Sequence, residues 1–299
     1  MGGIESWGTA AILRLQALGG PGADAIFRLI TFLGDEQFYL LLLPFVYWCV
    51  DKRLGLGLGL LVLGSNTANQ WLKHLCGLPR PPSPPVRHVV EEAGFGLPSG
   101  HTQAVTVAFG YLAVRLQRLW VHGVAAVLVL LVALSRLYLG VHYPHDVLGG
   151  LVAGYVLLWA FVKAWPLCAS LWQRLGRSLR YSLALLVPAV AVALWPLDEA
   201  ASSLGALAGF GVGAVLEATT LGFGSDGPWL HRLTRLLLGT ALVLGLYAGL
   251  KVILPPGSVW RFVRYGAIGI TVSLVGPWLF VRLGLATGRL DAARAKMVS

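Results

Sequence analysis

Long runs of apolar residues separated by short loops limit what this 299-residue chain can fold into. Hydrophobic residues make up 57% of the sequence and charged residues only 12%, whereas soluble domains usually carry about 25% charged residues. A chain with so little charge cannot cover itself with a polar surface. Runs of roughly 20 apolar residues are typical of helices that cross a bilayer. The sequence therefore predicts an all-α fold, a polytopic transmembrane helical bundle.

About nine spans are predicted, preceded by a segment of a different kind. Residues 10–33 carry apolar side chains at helical spacing, but Arg14, Arg28 and a glycine-rich break interrupt them, which predicts two N-terminal interfacial helices. The first residues lack the basic and apolar regions of a cleaved signal, so none is expected. The predicted spans lie at about residues 37–50, 54–72, 101–117, 120–141, 146–165, 181–197, 203–222, 233–254 and 262–285.

The order of these features predicts three parts. Residues 1–34 form the N-terminal interfacial helices, and residues 35–165 form a core that holds the polar motifs described below. Residues 166–299 form a C-terminal extension of four spans, which begins with an arginine-rich loop.

The net charge of +10 does not indicate nucleic-acid binding, because the 23 Lys and Arg residues are spread over short loops. We expect membrane lipids and a lipid substrate as partners, and no nucleic acid. Most of these cations fall on the side of the membrane opposite the loop at residues 73–100. Since positive residues favour the cytoplasmic side, this loop is predicted to lie on the extracytoplasmic face.

Three short segments place polar residues at the face of the 73–100 loop. Because successive spans alternate in direction, the three segments are expected to meet. They are Lys73–Pro81 after the second span, Pro98–His101 at the start of the third, and Ser135–Asp146 between the fourth and fifth.

The fixed cations in these segments predict a site for an anion. Lys73, Arg80 and Arg136 bring three positive charges together, and a guanidinium group is suited to bidentate recognition of phosphate. Ser99 and Gly100 stand at a helix start, where backbone N–H groups and the helix dipole also favour phosphate. These five residues are the predicted phosphate-binding residues.

Two histidines and one carboxylate predict how a bound phosphate is attacked. His142 precedes Asp146 by four residues, so the carboxylate can hold one imidazole nitrogen while the other faces phosphorus. His101 can protonate the leaving oxygen. We therefore expect a phosphohistidine intermediate at His142, which water then hydrolyses. No metal or other cofactor is expected, because Glu91 and Glu92 are adjacent in a loop and the other carboxylates are scattered.

The patterns K-x6-RP, PSGH and SR-x5-H-x3-D resemble the three signatures of the type 2 phosphatidic acid phosphatase superfamily, the lipid phosphate phosphatases. The resemblance covers roughly residues 35–165 without a departing position, and it implies the roles given above for the same residues. The proline-rich loop after Arg80 and the C-terminal spans resemble those of the sphingosine phosphate phosphatase branch. Because the superfamily also includes soluble acid phosphatases and haloperoxidases, the signatures imply a chemistry and not a substrate.

These features together predict a metal-independent membrane phosphatase that hydrolyses a lipid phosphate monoester or diphosphate. Two alternatives stay open on the sequence alone. One is a lipid phosphotransferase that passes the phosphoryl group from His142 to another lipid. The other is a lipid transporter or scramblase that retains a phosphate site.

Overall fold

The computed structural model describes residues 3–289, which are largely helical and contain no strand. The predicted all-α fold class is therefore confirmed, and residues 290–299 of the predicted extension lie outside the described residues. The helices are α1 (Gly3–Ala17), α2 (Pro21–Thr31), α3 (Glu36–Phe45), α4 (Lys52–Cys76), α5 (Gly100–Leu116), α6 (Leu119–Tyr138), α7 (Pro144–Arg174), α8 (Arg177–Leu194), α9 (Asp198–Thr220), α10 (Trp229–Ile253), α11 (Ser258–Ile270) and α12 (Gly276–Arg282). A short 3-10 helix, Phe32–Gly34, precedes α3, and π-helical turns occupy Val46–Val50 and Thr271–Val275.

Each predicted span falls on a helix, but the predicted count of nine spans is not confirmed. Within residues 3–289, six helices are long and apolar enough to cross a membrane, or up to seven if the pair Pro21–Gly34 and Glu36–Val50, bent by 52°, is one span. The helices α4 and α5 fall short: polar side chains between Ser65 and Gln70 interrupt α4, and α5 has only 17 residues. The six are α6, α7, α8, α9, α10 and the continuous stretch Ser258–Arg282.

The chain forms two compact units. The first contains the described residues as far as Tyr39 together with Ala68–Trp165, and the second contains Leu40–Thr67 and the described residues from Pro166 onward. This grouping follows contacts in space. The division into residues 1–34, 35–165 and 166–299 follows the order of motifs along the chain and stays a prediction.

In the first unit, the two N-terminal helices hold the loop that follows α4. The ring of Phe27 stacks on Tyr138 of α6 with 4.3 Å between centroids, which joins α2 to α6. From α2, Arg28 donates a hydrogen bond of 2.6 Å to the carbonyl oxygen of Val89, and Asp24 pairs with Arg87 at 2.7 Å. The two helices exist as predicted, and their position at a membrane interface stays a prediction.

In the second unit, small residues allow α9 and α11 to pack backbone against backbone. A Cβ atom at Gly209 would collide with the carbonyl oxygen of Gly266, so glycine is required at this crossing. The buried carboxylate of Glu217 pairs with Lys52, whose Nζ lies 3.1 Å from both carboxylate oxygens. This pairing neutralises the one acidic side chain that the sequence places late in α9.

Candidate active site

The predicted site residues come from both ends of helices in the first unit and from the loops between them. Lys73 lies in the last turn of α4, Arg136 in the last turn of α6, and Asp146 in the first turn of α7. Ser99 precedes α5, which begins at Gly100. Arg80 and His142 lie in loops. The contacts described below bring these residues to one place.

Arg80 and His142 form the centre of the site. Nη1 of Arg80 lies 3.0 Å from Nε2 of His142 and 2.9 Å from the carbonyl oxygen of Val141. Because an arginine N–H always donates, Nε2 of His142 is the acceptor and carries the lone pair. The imidazole is therefore neutral, with its proton on Nδ1.

Asp146 lies behind the imidazole of His142, on the side away from Arg80. Its Oδ2 atom lies 3.4 Å from Nδ1 of His142 and accepts a shorter hydrogen bond of 2.9 Å from the backbone N–H of Tyr143. Both Asp146 and the His142 side chain are buried. The carboxylate is thus fixed by the backbone and faces the protonated nitrogen of the ring.

Arg136 is almost entirely inside the protein, with 1% of its surface exposed. Its Nη1 atom donates a hydrogen bond of 2.6 Å to Oγ1 of Thr31, and its Nη2 atom pairs with Glu92. Its Nε atom is buried and has no hydrogen-bond partner among the described residues. A buried guanidinium with an unused donor is suited to an anionic ligand.

His101 is held by a residue that the sequence analysis did not select. Its Nε2 atom lies 2.7 Å from Oδ1 of Asp35, which directly follows the 3-10 helix Phe32–Gly34. Its Nδ1 atom lies 3.8 Å from Oε1 of Glu92. One nitrogen of His101 is therefore bound to Asp35 while the other faces the centre of the site.

Ser99, Gly100 and Lys73 line the site without all facing its centre. The backbone N–H of Ser99 donates to the carbonyl oxygen of Asp146 at 2.9 Å, so this N–H is already engaged. A Cβ atom at Gly100 would lie 3.0 Å from Oδ1 of Asn69, so a side chain there would require Asn69 to shift. Nζ of Lys73 donates to the carbonyl oxygen of Phe95 at 2.8 Å. The contacts of these three residues with a phosphate stay predictions.

Glu92 lies at the centre of the site, although the sequence analysis considered it only as one of two adjacent loop carboxylates unsuited to a metal. Its Oε2 atom lies 3.0 Å from Nη2 of Arg80 and 4.0 Å from Nε2 of His142, and its Oε1 atom pairs with Arg136. Its side chain is 21% exposed. A carboxylate thus faces both arginines and both histidines.

The charges of the site shift the proton affinities of its loop residues. Burial, followed by the positive charges of Arg136 and Arg80, lowers the pKa of His142 well below its ordinary value. Burial alone would raise the pKa of Glu92, but the positive charges of Arg136, His101 and Arg80 together outweigh it and lower this pKa to about 2. At neutral pH, His142 is therefore neutral and Glu92 is ionised.

The sequence carried no signal strong enough to select Asp35 and Glu92. Asp35 stands between two helical stretches, directly before an apolar run. Glu92 lies in a loop, where no periodicity predicts which way a side chain points.

In the described part of the chain, no group of three or more His, Cys, Asp or Glu residues has the geometry to hold a metal ion.

Two family models match the chain. One is described as the PAP2 superfamily and matches residues 54–170. The other is described as PAP2 superfamily phosphatase, transmembrane extension, and matches residues 201–288. The two matches include every predicted site residue and most of the C-terminal extension.

Three relatives illustrate the range of the similarity. Sphingosine-1-phosphate phosphatase 2 of Mus musculus is 36% identical over 154 residues, which cover 49% of this chain and 44% of that relative. Sphingosine-1-phosphate phosphatase 1 of Mus musculus is 26% identical and aligns with 87% of this chain and 72% of its own length. Phosphatidylglycerophosphatase B of Bacillus subtilis is 33% identical over 53% of this chain and 81% of its own length. This chain thus spans less than half of the first of these relatives.

Proposed function

This chain belongs to the PAP2 superfamily and is an integral, multi-pass membrane protein, and from that premise we propose that it is a lipid phosphate phosphatase. The observation that carries the proposal is the anionic carboxylate of Glu92, held by Arg80 and Arg136 at 4.0 Å from Nε2 of His142. It indicates that the site stabilises an oxyanion directly in front of a neutral imidazole. A phosphate monoester in this position would present its phosphorus to the lone pair of Nε2.

The proposed reaction has two steps. In the first, Nε2 of His142 attacks phosphorus, the bond from phosphorus to the lipid oxygen breaks, and that oxygen takes a proton from His101. In the second, water attacks the phosphohistidine and gives a proton to His101, and the N–P bond breaks to release phosphate. The proton on Nδ1 of His142 faces Asp146, whose negative charge stabilises the ring as it becomes positive.

Fixed cations supply the electrostatic stabilisation in this proposal. We propose that the positive charges of Lys73, Arg80 and Arg136 stabilise the negative charge that accumulates on the phosphoryl oxygens, which is the role that a metal ion takes in other phosphatases. We therefore propose that hydrolysis requires no metal.

The names of the relatives support a substrate class for this proposal. Two sphingosine-1-phosphate phosphatases are similar to this chain, one over 49% of it and the other over 87% of it. Phosphatidylglycerophosphatase B is similar over 53% of this chain. We propose a lipid phosphate as the substrate, with sphingoid-base phosphates as the first candidates and glycerolipid phosphates as the second.

The proposed activity is tested by free-phosphate release from purified protein. The substrate panel contains sphingosine phosphate, phosphatidic acid, phosphatidylglycerol phosphate and a prenyl diphosphate, each measured with and without EDTA, and the H142A variant is the blank. We expect release from at least one lipid at the same rate in EDTA. No release from any lipid in the panel would contradict the phosphatase assignment. Loss of free-phosphate release when a lipid alcohol is added, with formation of the phosphorylated alcohol, would indicate a phosphotransferase. Release abolished by EDTA would contradict metal independence.

The proposed extracytoplasmic position of the site has its own test. Cys76 is exposed at the end of α4, three residues after Lys73, whereas Cys49 is buried. In a variant in which Cys49 and Cys168 are replaced by serine, a membrane-impermeant maleimide should label Cys76 in intact cells. Labelling only after the cells are permeabilised would place the site on the cytoplasmic face.

A further inference from the structure

The side chain of Glu92 occupies the position that the proposed mechanism gives to the substrate phosphate. Its two oxygens contact the guanidinium groups of Arg80 and Arg136. The same oxygens lie 3.8 Å from Nδ1 of His101 and 4.0 Å from Nε2 of His142. The donors that would bind the phosphoryl oxygens are therefore already engaged by a carboxylate of the protein itself.

We propose that Glu92 is an internal anion that competes with phosphate for Arg80 and Arg136, and that it thereby sets the affinity of the site for phosphate esters and for released phosphate. The proposal rests on the proposed function, because it takes these two arginines as phosphate ligands. It assigns to Glu92 a part in substrate and product binding rather than in bond cleavage.

The competition follows from the chemistry of the shared donors. Carboxylate and phosphate oxygens accept the same charge-assisted hydrogen bonds from a guanidinium fork, and one fork cannot serve both fully. A phosphate must therefore displace the Glu92 carboxylate, and the free energy of the ion pairs between Glu92 and the two arginines is subtracted from the free energy of phosphate binding. The subtraction applies equally to substrate and to product phosphate, so the site binds both of them more weakly. Weaker binding of the product favours its release after each turnover.

The surroundings of Glu92 allow its carboxylate to leave while the loop stays in place. Upstream, α2 holds the loop through the Asp24–Arg87 ion pair and through the bond from Arg28 to Val89. Downstream, Arg80 donates to the carbonyl oxygens of Ala93 and Gly94 at 3.1 Å. The side chain of Glu92 is 21% exposed and its neighbours on both sides are exposed. Rotation of the side chain toward solvent is therefore sufficient to uncover the two arginines.

The adjacent residue, Glu91, is a matched control. It has the same side chain and lies on the same loop, but it is exposed. The variants E92Q and E91Q each remove one negative charge from the same short segment. An effect of overall charge on anion binding appears in both variants, whereas competition for the two arginines appears only in E92Q.

The test is direct binding of inorganic phosphate to the purified full chain, measured by isothermal titration calorimetry. We expect E92Q to bind phosphate at least about tenfold more tightly than the parent protein, as expected for loss of a competing charged hydrogen bond. E91Q should stay within about twofold of the parent. A dissociation constant in E92Q that is equal to or higher than that of the parent would overturn the proposal.

A second variant covers the case in which E92Q does not fold, as judged by its thermal melt. E92D keeps the charge but is one methylene shorter, so it cannot reach both arginines as well as glutamate does. It should bind phosphate more tightly than the parent, and equal or weaker binding would again contradict the competition.

Kinetic measurements distinguish the proposed role of Glu92 from the proposed phosphatase activity of the protein. If the parent protein hydrolyses a lipid phosphate, E92Q should lower KM and the inhibition constant of phosphate by a similar factor without raising kcat. Hydrolysis by the parent with unchanged phosphate affinity in E92Q would overturn only the role of Glu92. Tighter phosphate binding in E92Q, in a parent protein that hydrolyses no lipid of the panel, would contradict only the phosphatase assignment.

Discussion

The Nε2 atom of His101 lies 2.7 Å from the Oδ1 atom of Asp35, so the proposed general acid has an anionic partner from the N-terminal part of the chain. The preceding residue, Gly34, packs so closely on His101 that a Cβ atom there would lie 2.7 Å from the Cβ atom of the histidine. The imidazole is thus held both by a hydrogen bond to Asp35 and by packing. Its other nitrogen, Nδ1, is left to face the substrate.

Replacement of Asp35 by asparagine should slow the reaction, because His101 loses the carboxylate that holds it. We expect kcat to fall at least about tenfold, which is part of the roughly 100- to 10,000-fold that a general acid contributes. The basic limb of the kcat–pH profile should move to lower pH, because the protonated imidazole loses its anionic partner. The matched control is E36Q, a change to the neighbouring exposed carboxylate. An unmoved pH profile in D35N, whatever its rate, would show that Asp35 has only a structural role.

The residues of the three motifs were predictable as a group because the motifs lie at helix ends and in the adjoining loops. Alternation of the spans was enough to expect Arg80, Arg136 and His142 on one face, and the structure brings them together. The roles of these residues stay predictions.

Asp35 and Glu92 were not predictable in the same way. Asp35 reaches His101 because a 3-10 helix packs beside the start of α5, and Glu92 reaches Arg136 because its loop folds back over the site. Both contacts depend on the path of loops, which no periodicity in the sequence encodes. The span count was not confirmed for a related reason. The polar side chains of α4 form contacts inside the protein, such as Asn69 with Gln103, and these residues lower the apolar character of the helix.

The contribution of Glu92 to stability should disappear in acid. Its pKa in the folded protein, about 2, is below its ordinary value of 4.5. A lowered pKa means that the stabilisation is fully present above about pH 4.5 and is lost as the pH falls toward about 2. The difference in Tm between the parent and E92Q, measured in detergent, should therefore shrink as the pH falls through this range. A difference that stays constant from pH 7 to pH 3 would show that Glu92 is not held by the arginines in its charged form.

Gly209 should tolerate no side chain at the crossing of α9 and α11. The change G209A places a Cβ atom against the backbone carbonyl of Gly266, so the two helices must separate. We expect a loss of about 1–3 kcal/mol in the free energy of unfolding. The control is G245A on α10, where no heavy atom lies within 4 Å of the added Cβ, and its Tm should be unchanged or higher. Equal melting of the two variants would argue against the close packing.

The proposed mechanism makes Nε2 of His142 the nucleophile of a lipid phosphate phosphatase. The decisive measurement is the rate of free-phosphate release from the best lipid substrate, compared among the parent protein, H142A and the control H122A. His122 is an exposed residue in the first turn of α6, so H122A should retain the activity of the parent. Removal of a nucleophile should lower kcat at least about 1000-fold in H142A, with a thermal melt like that of the parent. A folded H142A protein that keeps more than about a tenth of the parent rate would show that His142 is not the nucleophile.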